Sequence, residues 1–283
     1  MEIKKIMVVG AGQMGGGIAQ LTAQYGFETM LNDLNLDLVQ KAFNFTNKLL
    51  SRSVEKGKMT IEAKEAVMAR LIPSTNLEDA KDCDFVIEAV VENWAVKEKV
   101  FRKLDEVCPP HTILATNTST MPITKLGGVT RRPDKVLGMH FMNPAPVMKL
   151  VEVIQGLATS PEVTKTIVDL SLFMDKVPVE AKDFPGFIST RLSHILINEA
   201  AFCVYEGIAT IEGIDNSMTH GMNHRMGPLA QADLIGLDTV LAILNAIYEG
   251  FGDPKFRPCP LIRQYVQAGW LGRKSGRGFY QYE

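Results

Sequence analysis

Two residues define the chemistry open to this chain: His140, in "GMHFMNP", and Glu152, in the following apolar run "KLVEVI". An imidazole exchanges protons near neutral pH. A carboxylate on a neighbouring strand can accept a hydrogen bond from one ring nitrogen, fix the tautomer, and stabilise the imidazolium when the other nitrogen takes a proton. His140 closes the short strand-like run "VLGMHF", and open α/β sheets place ligands at the carboxyl ends of their strands. Taken alone, His140 reads equally well as a hydrogen-bonded core histidine. "TNTSTMPI" adds Asn117 and Ser119 at the end of another such run. Their amide and hydroxyl suit the holding of a carboxamide and a reacting oxygen, and equally an Asx or Ser turn.

These side chains need a scaffold that brings strand ends together, and the scaffold begins with "MVVGAGQMGGGIAQ". A glycine triplet of this spacing is weak evidence alone. Here Gly10, Gly12 and Gly15 follow a strand pattern, "KKIMVVG", and open a helix pattern that ends at Gly26. In a dinucleotide-binding turn Gly10 permits the tight bend, Gly12 admits the pyrophosphate to the backbone, and Gly15 lets helix and sheet approach. Asp33 ends the next strand pattern, where a carboxylate accepts hydrogen bonds from ribose hydroxyls and repels the extra phosphate of NADP. NAD is therefore the expected cofactor, with NADP less favoured. Gly16 and Gly17 each cost about 1 kcal/mol in a helix interior relative to Ala, so they either serve close packing or are tolerated.

Further apolar runs, "DFVIEAV", "TILATN", "VLGMHF" and "LVEVI", alternate at first with helical stretches such as "AVKEKVFRKLDEV". That pattern predicts a Rossmann-like, doubly wound, mainly parallel sheet over 1–185. A helical excursion over 35–71 is broken near Gly57. After Pro185 the periods are helical, as in "RLSHILINEAAFCVYEG", "IEGIDNSMTH" and "LIGLDTVLAILNAIYEGF", which predicts an all-α domain over 186–283.

With 283 residues, 46% of them apolar, the chain can fill a sizeable core, and its net charge of −2 offers no broad attraction to nucleic acid or anionic membrane. Cys83, Cys108, Cys203 and Cys259 show neither metal-ligand spacing nor a disulfide pattern. No run approaches the ~18 apolar residues of a membrane span, and the opening "MEIKKIMVVG" is too short for a signal segment. These features predict a cytoplasmic protein with reduced thiols, no metal, and a small-molecule substrate.

The chain resembles the short-chain L-3-hydroxyacyl-CoA dehydrogenases, most of all the clostridial-type 3-hydroxybutyryl-CoA dehydrogenases. The resemblance runs nearly end to end through "VVGAGQMGGGIAQ", "FVIEAVVEN", "TNTST", "GMHFMNPAPVMKLVEVI", "PGFI" and "AGWLGRKSGRGFY". It implies that His140 is the general acid/base, Glu152 its orienting partner, and Ser119 a donor to the substrate oxygen. Implied cofactor contacts are the glycine turn with Met14, then Asp33, Ala89, Glu92, Lys97, Asn117, Ser119, Asn143 and Lys274. Read without the family, Lys97 equally suits a solvated helix face, and Lys274 a basic chain-terminating turn.

The charge run "SRSVEKGK", with Ser51, Arg52, Lys56 and Lys58, reads by itself more readily as a solvated helix face than as a phosphate site; the resemblance implies coenzyme A contacts from Ser51 and Lys58. Substrate contacts are also implied for Ser119, Asn143 and position 190. There this chain departs from the family, reading "PGFISTR" with Thr190 where members usually carry Asn. The apolar runs "LAILNAIYEGF" and "ILINEAAF" suit core packing within the domain and pairing with another subunit equally, and the resemblance implies a homodimer or dimer of dimers. Two rivals differ in class. One is a dehydrogenase for free 3-hydroxy acids or sugar acids; the other is a non-catalytic NAD-binding protein related to lens crystallins.

Overall fold

The computed structural model describes residues 3–283; Met1 and Glu2, the first residues of the opening run, lie outside them. The chain divides into two compact units, Met1–Asp183 and Phe184–Glu283.

The first unit is built on β1 (Lys5–Val9), α1 (Gln13–Gln24), β2 (Glu28–Asn32), α2 (Leu36–Glu55), α3 (Ile61–Ala69) and β3 (Leu71–Ser74). There follow β4 (Phe85–Glu88), α4 (Trp94–Val107), β5 (Ile113–Thr116), α5 (Ile123–Gly127), β6 (Val136–Phe141), β7 (Leu150–Gln155), α6 (Pro161–Phe173) and β8 (Val177–Lys182). One eight-stranded sheet runs in the order β3-β2-β1-β4-β5-β6-β7-β8. All neighbours are parallel except β6 and β7. The sheet is therefore doubly wound and mainly parallel, as its sequence pattern predicts. Its first six strands follow the dinucleotide-binding order, with a crossover reversal between β1 and β4 that opens a crevice at the strand ends.

Strands β4, β5 and β6 are buried throughout, which is why they read as continuous apolar runs rather than alternating ones. Two strands escape sequence reading. β3 is only "LIPS" at one sheet edge, with a proline that an edge tolerates. β8, "VPVEAK", is the opposite edge, with no buried residue along it.

Helix α1 packs closely on its surroundings because of its glycines. A Cβ on Gly16 would lie 3.3 Å from the Ala42 Cβ of α2, and one on Gly17 would lie 3.4 Å from Pro146 Cδ. Both positions thus serve close packing. Gly57, with φ +64°, breaks the helical excursion between α2 and α3.

The second unit holds α7 (Ser189–Tyr205), α8 (Ile211–Asn216), α9 (Pro228–Ile235), α10 (Leu237–Phe251) and α11 (Pro260–Gln267). Ile197, Ala201, Leu229, Leu237, Val240, Leu244 and Ile262 form its core. "LIGLDTVLAILNAIYEGF" is not one helix. Gly236 has φ +101°, outside any right-handed helix, and α9 and α10 meet there at 102°. Two buried carboxylates pin the C-terminal residues. Asp233 accepts hydrogen bonds from the backbone N–H groups of Phe279 and Tyr280, and Asp215 from the Tyr280 hydroxyl. Among the described residues, no single helix is long and apolar enough to cross a membrane.

Candidate active site

The antiparallel pairing of β6 with β7 decides the geometry of His140 and Glu152. It sets His140 directly opposite Glu152, and directly opposed residues of an antiparallel pair share one face of the sheet. His140 Nδ1 lies 2.8 Å from Glu152 Oε2, and His140 Nε2 lies 3.0 Å from Ser119 Oγ. Glu152 is 1% exposed and His140 5%. An ionised carboxylate only accepts, so Nδ1–H donates to Glu152 and Nε2 is left to exchange a proton through its outer lone pair. The three side chains form a relay from a buried acid to a hydroxyl beyond the end of β5. Glu152→Gln removes the charge that stabilises the imidazolium, and it should lower kcat by about a hundredfold without weakening NADH binding. A kcat within threefold of wild type would refute the dyad.

The loop bearing Ser119 rests on an ion network that is buried at Glu88 and Lys97 and open to solvent at Glu92. Glu88, fully buried at the end of β4, accepts from the Val90 N–H (2.7 Å), Thr116 Oγ1 (2.8 Å) and Lys97 Nζ (2.8 and 3.1 Å). Lys97 also pairs with Glu92 at 3.2 Å. Glu92 in turn accepts from the hydroxyls of Thr118 and Thr120. Burial opposes the charge on Glu92, but Lys97 and these hydroxyls outweigh it and hold the carboxyl below its ordinary value. Lys97 is 1% exposed, so it is not on a solvated face. Its three ammonium hydrogens face three carboxylate oxygens. Asn117 Oδ1 accepts from the Phe141 N–H at 2.9 Å, tying the ends of β5 and β6 together.

The dinucleotide turn has the expected form. Gly10 has φ +105°, and a Cβ there would lie 2.6 Å from the Ala89 carbonyl oxygen. A Cβ on Gly15 would fall 1.7 Å from the Gly10 carbonyl oxygen, so only glycine fits. A Cβ on Gly12 would meet nothing within 4 Å, and α1 has no side-chain cap. Open space over an uncapped helix N-terminus suits a pyrophosphate, so the residues present fit NAD. Met14 lies in the first turn of α1, partly buried against the core. Asp33 Oδ2 accepts from the Ala11 N–H at 2.6 Å, and its Oδ1 from Leu34 at 2.7 Å. It holds the turn in place while a carboxylate's remaining acceptor sites stay available to ribose.

Asn143, just past β6, accepts a hydrogen bond from Gln13 Nε2 at 3.3 Å through its Oδ1. Sequence reading passed over Gln13, Glu88, Thr116, Thr118 and Thr120. A carboxylate closing the apolar run "FVIE" was the available signal for Glu88. In the excursion, Ser51 on α2 accepts from Lys64 of α3 at 2.8 Å, and Lys58 lies in the turn between these helices. Lys64 is a cation that the local charge run did not include.

Two sequence-derived residues lie in the helical unit. Thr190 is buried in the first turn of α7, and its carbonyl accepts from His194 Nδ1 at 2.9 Å. Lys274 pairs with Asp238, next to Gly236. All four cysteines are free; burial pushes the Cys83 thiol up to about 12 and that of Cys108 to about 11, so neither supplies a thiolate. Among the described residues, no group of His, Cys, Asp and Glu could hold a metal ion.

A dinucleotide turn and a buried proton relay at the carboxyl ends of one sheet define a nicotinamide-dependent dehydrogenase. The chain belongs to the 3-hydroxyacyl-CoA dehydrogenase family: the NAD-binding domain of that family matches residues 5–184, and its C-terminal domain matches 186–282. A probable 3-hydroxybutyryl-CoA dehydrogenase of Bacillus subtilis is 56% identical over all of this chain and 99% of that protein. The 3-hydroxybutyryl-CoA dehydrogenase of Clostridioides difficile is 46% identical, covering 98% of this chain and 99% of that one. Among solved structures, the (S)-3-hydroxybutyryl-CoA dehydrogenase of Ralstonia eutropha superposes over the whole of both chains with a TM-score of 0.98 at 45% identity.

Proposed function

We propose that this chain interconverts acetoacetyl-CoA and (S)-3-hydroxybutyryl-CoA with NAD(H). The Ser119–His140–Glu152 relay carries the reading, and the names of the relatives support the acyl group. When bound, the nicotinamide supplies hydride to C3 in reduction and takes it back in oxidation. His140 gives a proton to the C3 oxygen in reduction and removes it in oxidation, with Glu152 steadying the imidazolium. The Ser119 hydroxyl stabilises charge growing on that oxygen. Asn117, Asn143, Ala89, Glu92 and Lys274 are assigned to the cofactor, and Lys97 to holding Glu92 and the Ser119 loop beside it. Ser51 and Lys58 are assigned to coenzyme A phosphates, with Lys64 beside Ser51. Asp33 favours NAD over NADP. Mixing the protein with NADH and acetoacetyl-CoA, then with free acetoacetate, tests the reading through loss of reduced-nicotinamide absorbance. Oxidation only with the thioester is expected; equal rates with the free acid would favour the free-acid dehydrogenase.

The relay also has the order of nucleophile, base and acid found in acyl-transfer enzymes. The dinucleotide turn favours hydride transfer, so acetoacetyl-CoA without NADH should release no free thiol.

Thr190 is assigned to the substrate oxygen in place of the usual Asn. Its hydroxyl is shorter and its stem stiff, and one missing donor at such a site costs up to roughly 3 kcal/mol. Thr190→Asn should therefore raise kcat, by as much as about a hundredfold; an unchanged or lower kcat removes this role.

The helical unit is assigned to a homodimer or dimer of dimers, supported by exposed Leu192, Tyr205 and Ile208. The setting proposed is cytoplasmic, in butyrate or fatty-acid metabolism.

A further inference from the structure

Lys176 is a buried cation with no part in the chemistry above. It stands between α6 and β8, following Asp175, whose φ of +54° turns the chain out of the helix. Only 5% of Lys176 is exposed, and its Nζ donates to two backbone carbonyl oxygens, of Ala145 at 2.7 Å and Met148 at 2.9 Å. Neither partner is a carboxylate. The neighbouring charges, Lys149 and Asp175, pair with each other. Burial is the main influence on the ammonium and, reinforced by Lys149, outweighs Asp175, so its pKa lies below the ordinary lysine value. Burying an ammonium this way is costly, and a methionine would fill the same volume without that cost. What the lysine provides is donors.

The carbonyls it holds belong to the turn that joins β6 to β7. Pro144 O accepts from the N–H groups of both Val147 and Met148, which curls the turn and points other carbonyls inward. The turn also rests against Gly17 of α1, whose missing Cβ would touch Pro146 and Ala145. Ala145 is 2% exposed. The turn is thus gripped between Lys176 and the first helix, and Asn143 stands at its start, bonded to Gln13.

We propose that Lys176 is a positioning residue for hydride transfer: it clamps the 144–148 turn so that Asn143 is presented to the nicotinamide and substrate. The proposal rests on the assignment of Asn143 made above. Misplacing a positioning group by about 1 Å costs as much as 10²-fold in rate, and the adenosine end of the cofactor site, on β1, α1 and β2, is untouched.

The test is a double-mutant cycle on the full chain, reading kcat and KM for acetoacetyl-CoA together with the Kd of NADH. Lys176→Met keeps length and loses the donors. It should lower kcat by about tenfold while Kd moves less than about threefold. In an Asn143→Ala background it should cost far less, because groups that act as one unit are not additive. Lys176→Arg, which keeps donors, should recover part of the loss. If Lys176→Met does not fold, Lys176→Gln, shorter and neutral with one NH2 group, is read by the same kcat, KM and Kd. Wild-type kcat with only a lower Tm, or losses that add fully with Asn143→Ala, overturns the clamp. A normal kcat for Asn143→Ala alone instead overturns the assignment of Asn143.

Discussion

His140→Ala should lower kcat for acetoacetyl-CoA reduction by about 10³-fold, within the range lost when a positioned general acid is removed. His140 is the imidazole bonded to both Ser119 and Glu152. Water entering the space would be a poor donor, because its acidity is far from that of an imidazole, which exchanges protons near neutral pH. NADH should bind almost as before, since the glycine turn and Asp33 lie on β1, α1 and the end of β2. Rapid-mixing kinetics and NADH fluorescence check both halves. A variant that kept a tenth of wild-type kcat would show that the proton comes from elsewhere.

The second large effect is on stability. Lys97→Met should destabilise the first unit by about 3–5 kcal/mol, the cost of leaving one partner of a buried ion pair alone. Among the described residues, Glu88 would keep the Val90 N–H and the Thr116 hydroxyl as donors. Water cannot easily compensate a carboxylate that is fully buried. Adding Glu88→Gln should recover at least half of the loss, because the stranded charge is then gone. Trp94, at the start of α4, reports this unit's unfolding in urea once Trp270 is replaced by Phe. A loss below about 1 kcal/mol would mean that the carboxylate finds water or another donor.

The buried Lys97 illustrates where local reading stops. "AVKEKVF" is helical with a polar face, and helix period alone leaves a lysine there solvated. Only the meeting of Lys97 with Glu88, at the end of β4, makes that face an interior. The same holds for Ser51, whose partner Lys64 arrives from the next helix, and for Lys176, whose carbonyl partners lie on a different connection. Breaks depend on single backbone angles. Gly57 announced its own, but Gly236 lay within an unbroken apolar period, and its positive φ follows from packing.

From the sequence alone come the dinucleotide turn, the doubly wound sheet followed by helices, the family by resemblance, and with it the expectation that His140, Glu152 and Ser119 carry proton transfer. Each depends on neighbours along the chain: a glycine where a Cβ would strike the next carbonyl, or an apolar run long enough for a buried strand. The tertiary structure decided that β6 and β7 run antiparallel in the register that sets His140 against Glu152. It also decided that Lys97 faces inward to Glu88, and that Lys176 grips the turn between the catalytic strands. These are contacts between distant segments, selected by how whole surfaces pack and by the cost of leaving a buried polar group without a partner, and no local spacing encodes them.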